Sequence, residues 1–198
     1  MTNTRDQIIK TTSTLIENQG YHATGLNEIV KESGAPKGSI YYHFPAGKEG
    51  ITAEAILYAG KIIAERIHTH LDSKIDPARA VQSFVEEIAY YVEVSGFQSG
   101  GPLTIVAAET ATTNEKLNQT CREAYTMVRE AFQSKLLESG ISEERAANLS
   151  WMITSVIEGA IILSRTFHNG DPLRLAAQEL ACLINNCGKS LEVKAKKG

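Results

Sequence analysis

Residues 20–47 are cut by Gly20, Gly34, Pro36 and the run Pro45-Ala46-Gly47, so no helix between these breaks can exceed about three turns. Ile8, Ile9, Leu15 and Ile16 recur at helical spacing ahead of the first break and predict a helix that stops at Gly20. Thr24 is placed to cap a second, short helix carrying Leu26, Ile29 and Val30 and ended by Gly34. Pro36, whose fixed φ suits a first helical turn, opens a third helix reaching about Tyr42. After Phe44-Pro45-Ala46-Gly47 a long helix starts near Lys48 and carries Ile51, Ala55, Tyr58, Ile62 and Ile63.

The same period continues to the end of the chain. Asp76-Pro77 caps and starts a helix with Val81, Phe84, Val85, Ile88, Tyr91 and Val92 on one stripe. Gly96 to Pro102 is loop-like, and a short apolar segment, Leu103 to Ala111, follows. Leu117, Cys121, Tyr125, Val128 and Phe132 mark a long helix, and Ser142 caps the next. Asn169-Gly170-Asp171-Pro172 separates that helix from a last one carrying Leu175, Leu180, Leu183 and Ile184. Strand alternation is absent from the pattern. The prediction is all-α, with a helix-turn-helix unit at 1–47 and a larger helical domain at 48–198.

At 42% hydrophobic and 22% charged, the 198 residues have the balance of a soluble globular protein with material for a core. The formal net charge is −3. Within residues 1–50, Arg5, Lys10, Lys31, Lys37 and Lys48 are balanced by Asp6, Glu17, Glu28, Glu32 and Glu49. Any nucleic-acid binding must therefore come from geometry and not from bulk charge. The N-terminus lacks the pattern of a signal peptide, and no uninterrupted apolar run approaches the roughly 20 residues of a membrane span. The expectation is a cytoplasmic protein whose three cysteines, Cys121, Cys182 and Cys187, are reduced and mostly buried.

Five histidines, at 22, 43, 68, 70 and 168, are scattered, and His68 and His70 fall on different helix faces. Neither a metal site nor a nucleophile motif emerges, so an enzyme is not expected. The informative stretch is SGAPKGSIYYHF at 33–44. Two short helices across a glycine-containing turn, behind a supporting first helix, make a helix-turn-helix whose second helix enters the DNA major groove by its N-terminal residues. Those residues are Lys37, Gly38 and Ser39. Lysine can donate to a guanine edge or a phosphate, serine to either, and glycine permits close approach. Tyr41, Tyr42 and His43 can donate to phosphates while Ile40 and Phe44 turn inward. Thr24 and Lys48 are placed to clamp the backbone from both sides. Either tyrosine can instead pack on the first helix.

Residues 20–49, GYHATGLNEIVKESGAPKGSIYYHFPAGKE, resemble the N-terminal signature of the tetracycline-repressor (TetR) family of transcription regulators. The match runs through Gly-aromatic, Ala-Thr, the turn glycine, Lys-Gly-Ser, Tyr, His-Phe and Lys-Glu. Thr12 stands where the family usually has alanine, Pro36 replaces a common serine cap, and the loop before Lys48 is one residue longer. That loop, with GGPLTIVAAE at 100–109, resembles a subgroup similar to LmrA and YxaF.

The resemblance implies a repressor without a cofactor, acting as a homodimer on an inverted-repeat, double-stranded DNA operator. A small apolar or aromatic effector, drug-like or flavonoid-like, would release it, with the helix starting near Lys48 changing the spacing of the recognition helices. Candidate pocket residues are Phe84, Ile88, Tyr91, Phe97, Ile105, Glu109, Tyr125, Val128, Met152 and Val156. Glu109, an acid inside the apolar run IVAAETA, needs a partner. It can accept from a ligand hydroxyl, face a cation, act as a cap, or pair with Arg122 or Arg129. Residues 149–162 are apolar on more than one face, as suits a helix serving both a core and a partner, or the centre of a monomer. The expected dimer residues are Trp151, Thr154, Ile157, Glu158, Ile161, Ile162, Leu180 and Ile184.

Overall fold

The computed structural model describes residues 3–71 and 76–195, with side chains to Asn186. The regular elements among them are all helices: α1 (Thr4–Ala23), α2 (Leu26–Ser33), α3 (Lys37–His43), α4 (Gly47–His70), α5 (Pro77–Val94), α6 (Pro102–Thr110), α7 (Glu115–Glu138), α8 (Glu143–Phe167) and α9 (Asp171–Ala195). The chain is all-α, with an N-terminal helix-turn-helix and a helical C-terminal part. Breakers act where expected. Gly20 interrupts α1 at φ +83°, ψ 175°, and a single further turn follows before Thr24. Gly34 closes α2, and Asp76 caps α5 by accepting from the Arg79 N–H at 3.4 Å.

Two caps differ from expectation. Gly25, not Thr24, is the N-cap of α2, and the Glu28 carboxylate turns back to accept from the Gly25 N–H at 3.3 Å. Thr24 is fully buried and its hydroxyl donates to the Gly20 carbonyl at 2.7 Å. Ser142 precedes α8 without a side-chain capping bond.

The chain divides into two compact units: Met1–Ile63 with Gly101–Met127, and Ala64–Gly100 with Val128–Gly198. This division does not follow the boundary at residue 47 drawn from the sequence. α6 packs along α1 and buries Leu103 and Val106. In the first unit Ile8, Ile16, Ile29, Ile40, Phe44, Ile51 and Ile56 are buried, joining the three N-terminal helices to the start of α4. Thr12, in place of the usual alanine, is fully buried, and its hydroxyl finds a partner by donating to the Ile8 carbonyl at 2.8 Å.

The second unit is organised on α5, which packs against α9 and α8. Val81, Phe84, Val85, Ala89 and Val92 form its buried stripe, and Phe84 meets Phe132 edge-on at 5.8 Å. Polar ties fasten the rim: Arg174 forks onto Glu93 at 2.8 and 2.6 Å, and Arg66 and His70 both reach Glu87. Cys121 is buried and Cys182 is exposed, so the thiols do not share one environment; the Cys187 side chain lies outside the described residues. Burial pushes the Cys121 thiol up to about 11.

Gly60 brings α4 close to α7. A Cβ there would stand 2.8 Å from the Ala124 Cβ and 2.9 Å from its Cα. Gly60→Ala therefore overpacks this crossing by more than the helix propensity it gains. We predict a net destabilisation of about 1–2 kcal/mol, read as a lower urea midpoint at constant m.

Candidate nucleic-acid interface

The recognition helix α3 is short and depends on its mount. Ile40 is fully buried and Phe44 nearly so, and the Phe44 N–H closes the helix on the Ile40 carbonyl at 2.8 Å. The Arg5 guanidinium lies 5.6 Å over the Phe44 ring and also pairs with Glu54 of α4. Gln7 of α1 donates to the Ser33 carbonyl at 2.7 Å, fixing the end of α2. With Ile40 and Phe44 facing in, the helical period turns Lys37, Gly38, Tyr41 and Tyr42 outward.

All four are exposed, Tyr41 by 55% and Tyr42 by 82%. The alternative that the tyrosines pack on α1 is not what the chain does. Ser39 and His43 are half-buried, and the His43 ring stands edge-on to Tyr42 at 4.9 Å. A Cβ on Gly38 would meet nothing within 4 Å. No intramolecular packing therefore requires glycine at that position.

The two flanking residues behave otherwise. Thr24 is buried and engaged with Gly20, so its hydroxyl cannot clamp a phosphate; sequence spacing placed it at the helix start but could not show which way it pointed. Lys48 lies with its ammonium 4.3 Å over the Tyr21 ring and donates to the His22 carbonyl at 3.4 Å. Burial lowers the Lys48 ammonium from its ordinary value, opposed by the charge of Glu109. The Tyr21 phenol is raised by burial and, secondarily, by Glu49.

Glu109 faces the end of α1. Its carboxylate accepts from the Tyr21 N–H at 2.6 Å and the His22 N–H at 3.2 Å, which is the capping alternative and not a pair with Arg122 or Arg129. Sequence alone could not reveal this, because 88 residues separate Tyr21 from its acceptor. One turn further, Glu49 accepts from Asn114 at 2.9 Å and Lys116 at 3.0 Å, and these two donors hold its carboxyl below the ordinary value.

The remaining pocket candidates are divided between the two units. Ile105 and Tyr125, half-buried, belong to the first unit with Glu109. In the second, Phe84 and Val128 are core, Ile88 is half-buried, Tyr91 and Met152 are exposed, and Phe97 sits in a turn at φ +64° beside His168. Val156 lines an outer groove of about 860 Å³ between α8 and α9, with Gly159, Leu163, Phe167, Pro172 and Leu175. Among the expected dimer residues Trp151 and Ile162 are exposed and Glu158 is half-buried. Thr154, Ile157, Ile161, Leu180 and Ile184 are buried in the unit's own core and are not available to a partner.

Residues 8–55 match the family model described as bacterial regulatory proteins, tetR family, and residues 77–179 match the LmrA/YxaF-like C-terminal domain of transcriptional regulators. The chain belongs to the TetR family. The HTH-type transcriptional regulator YxaF of Bacillus subtilis is 42% identical over 93% of this chain and 96% of its own. LmrA of the same organism is 40% identical over 85% and 90%. Among solved structures, a TetR regulator from Legionella pneumophila superposes with a TM-score of 0.78 at 21% identity, covering 91% of this chain and 96% of that one. The protein is thus a DNA-binding transcriptional regulator with an LmrA/YxaF-like C-terminal domain.

Because the Glu49 carboxyl is held low in the folded state, its stabilisation is present above the ordinary value of 4.5 and is lost as pH falls through the folded value. Glu49→Gln should be less stable than the parent at neutral pH. The gap should narrow as pH falls below 4.5 and close once the folded carboxyl is protonated, which unfolding curves taken from pH 7 downward would show.

Proposed function

We propose that this TetR-family regulator binds an inverted-repeat operator as a homodimer, represses from it, and leaves it when a small apolar or aromatic effector occupies the C-terminal domain. The observation that carries the DNA part is the outward face of α3. A lysine, a glycine with open space around it and two exposed tyrosines share that face, while Ile40 and Phe44 fix the helix from behind. Lys37 and Gly38 lead into the major groove, and Tyr41 and Tyr42 donate to phosphates. Such a regulator works where the chromosome is, in the cytoplasm.

The dimer reading is supported by α8, which is apolar on two faces. Its inner face, Leu149, Ile153, Ile157 and Ile161, is spent on the unit's own core. Its outer face still presents Trp151, Met152, Ile162, Leu163 and Phe167, each about half exposed or more, beside the exposed Leu175 of α9. By length and composition alone α8 is apolar enough for a membrane span. A second copy covers this surface equally well, and a two-fold contact between identical patches is the commonest way for a homo-oligomer to do so. The effector part rests on the match of residues 77–179 to the LmrA/YxaF-like domain, and a drug-like or flavonoid-like aromatic is the class to screen.

Binding-site selection on random duplex, followed by mobility shifts at several salt concentrations, tests the reading. An enriched inverted repeat with steeply salt-dependent affinity is expected; no enrichment and no duplex binding at low salt would refute it. Lys37→Ala should weaken binding to all duplexes and reduce the salt slope by about 1. Gly38→Ala should leave the urea midpoint unchanged or higher but weaken the enriched site, since only DNA would feel the added methyl. Leu163→Arg should sediment as a folded monomer with reduced operator affinity, whereas an unchanged dimer would place the interface elsewhere.

A further inference from the structure

The break at Gly20 releases backbone groups that must be satisfied. At φ +83° and ψ 175° the residue lies in a region reserved almost wholly to glycine, and the N–H groups of Tyr21 and His22 lose their acceptors in the α1 ladder. Glu109 of α6 takes both. The fit is tight: a Cβ on Gly20 would stand 2.5 Å from the Glu109 Oε1. Both the conformation and the space at Gly20 are therefore matched to this carboxylate.

Three elements meet there. Lys48, from the first turn of α4, covers the Tyr21 ring and donates to the His22 carbonyl, so its cation faces the Glu109 charge across one turn of backbone. Glu49, the next residue, is tied to Asn114 and Lys116 beyond the end of α6. On the other side, Thr24 reaches back to the Gly20 carbonyl, and Gln19 donates to Glu28 in the first turn of α2. The helix so held carries Arg5 and Gln7, which support Phe44 and Ser33 at the two ends of the recognition element. Glu109 itself falls inside 77–179, the stretch matched to the C-terminal family domain, yet it packs in the unit that reads DNA.

We infer that Glu109 is a positioning residue for operator binding: its carboxylate holds the end of α1, and through Lys48 the first turn of α4, in the arrangement that presents α3. The inference rests on the DNA-binding role proposed for α3. Glu109 touches no base or phosphate in this role. Its loss lowers the fraction of protein in the competent arrangement and scales affinity without changing how many phosphates are neutralised.

The test uses the full chain and the selected operator. Glu109→Ala should bind about tenfold more weakly at a temperature where it remains folded, with the salt slope of the parent. Lys37→Ala, which removes a phosphate or base contact, should lower that slope. Amide hydrogen exchange without DNA gives an independent reading. The Tyr21 and His22 amides should be protected in the parent and exchange about tenfold faster or more in Glu109→Ala, together with the amides of residues 37–44. Glu109→Gln keeps an acceptor oxygen and should restore most of the protection and affinity. Should Glu109→Ala fail to fold, Glu109→Asp keeps the charge but withdraws the oxygen by one methylene, and should lose affinity with the same unchanged slope. Parent-like affinity and parent-like exchange at 37–44 in these variants would overturn the proposal while leaving the DNA-binding reading intact. A reduced salt slope in Glu109→Ala would also overturn it, because that marks a lost DNA contact. Failure of the parent itself to bind any duplex would overturn the functional reading, and this inference with it.

Discussion

Two amide groups with no partner in their own helix set the terms for the DNA-reading unit. Once Gly20 turns the chain out of α1, the Tyr21 and His22 N–H groups are obliged to find an acceptor, and leaving them unpaired would cost about 1–3 kcal/mol each if shielded from water. Glu109 supplies it, and with it α6 is drawn against α1. Lys48 and Glu49 then fasten the start of α4 to the same neighbourhood. A three-helix reading head of about 45 residues would bury little core by itself. Here it is completed by α6 and the first half of α7, which belong to it by packing although they lie far along the chain.

The second unit shows the complementary problem, an excess of apolar surface. α8 buries one stripe against α5 and α9 and leaves another uncovered. Periodicity identified a helix with two apolar faces but could not say which face was which. Ile157 and Ile161 proved to be core, and Leu163 and Phe167 lie on the outside. The distinction is set by the rotation of α8 about its own axis, which depends on where α5 and α9 sit and not on the composition of α8.

Much of the recognition element was legible because it is built from local rules. Gly34 ends α2, Pro36 precedes α3, and the outward placement of Tyr41 and Tyr42 follows once Ile40 and Phe44 are taken as inward. Thr24 shows where local reasoning fails. A threonine before a helix is a good cap by type, but its buried hydroxyl is turned away to donate to the Gly20 carbonyl, and the Glu28 carboxylate accepts from the Gly25 N–H at the helix start instead. The pocket candidates illustrate a related point: aromatic and aliphatic residues at helical spacing are common to cores, pockets and partner faces, and only packing separates the buried Phe84 from the exposed Tyr91 and Met152.

The sequence by itself determined the helices, their breaks, the all-α class and the side chains that α3 turns outward, because each of these is decided within a few residues by backbone sterics and hydrophobic period; the family was legible separately, in the resemblance of the motif at 20–49. The tertiary structure alone decided that Glu109 caps α1, that α6 belongs with the reading head, and that Thr24 faces inward. Those outcomes depend on hydrogen-bond partners up to 88 residues apart, for which spacing along the chain carries no signal.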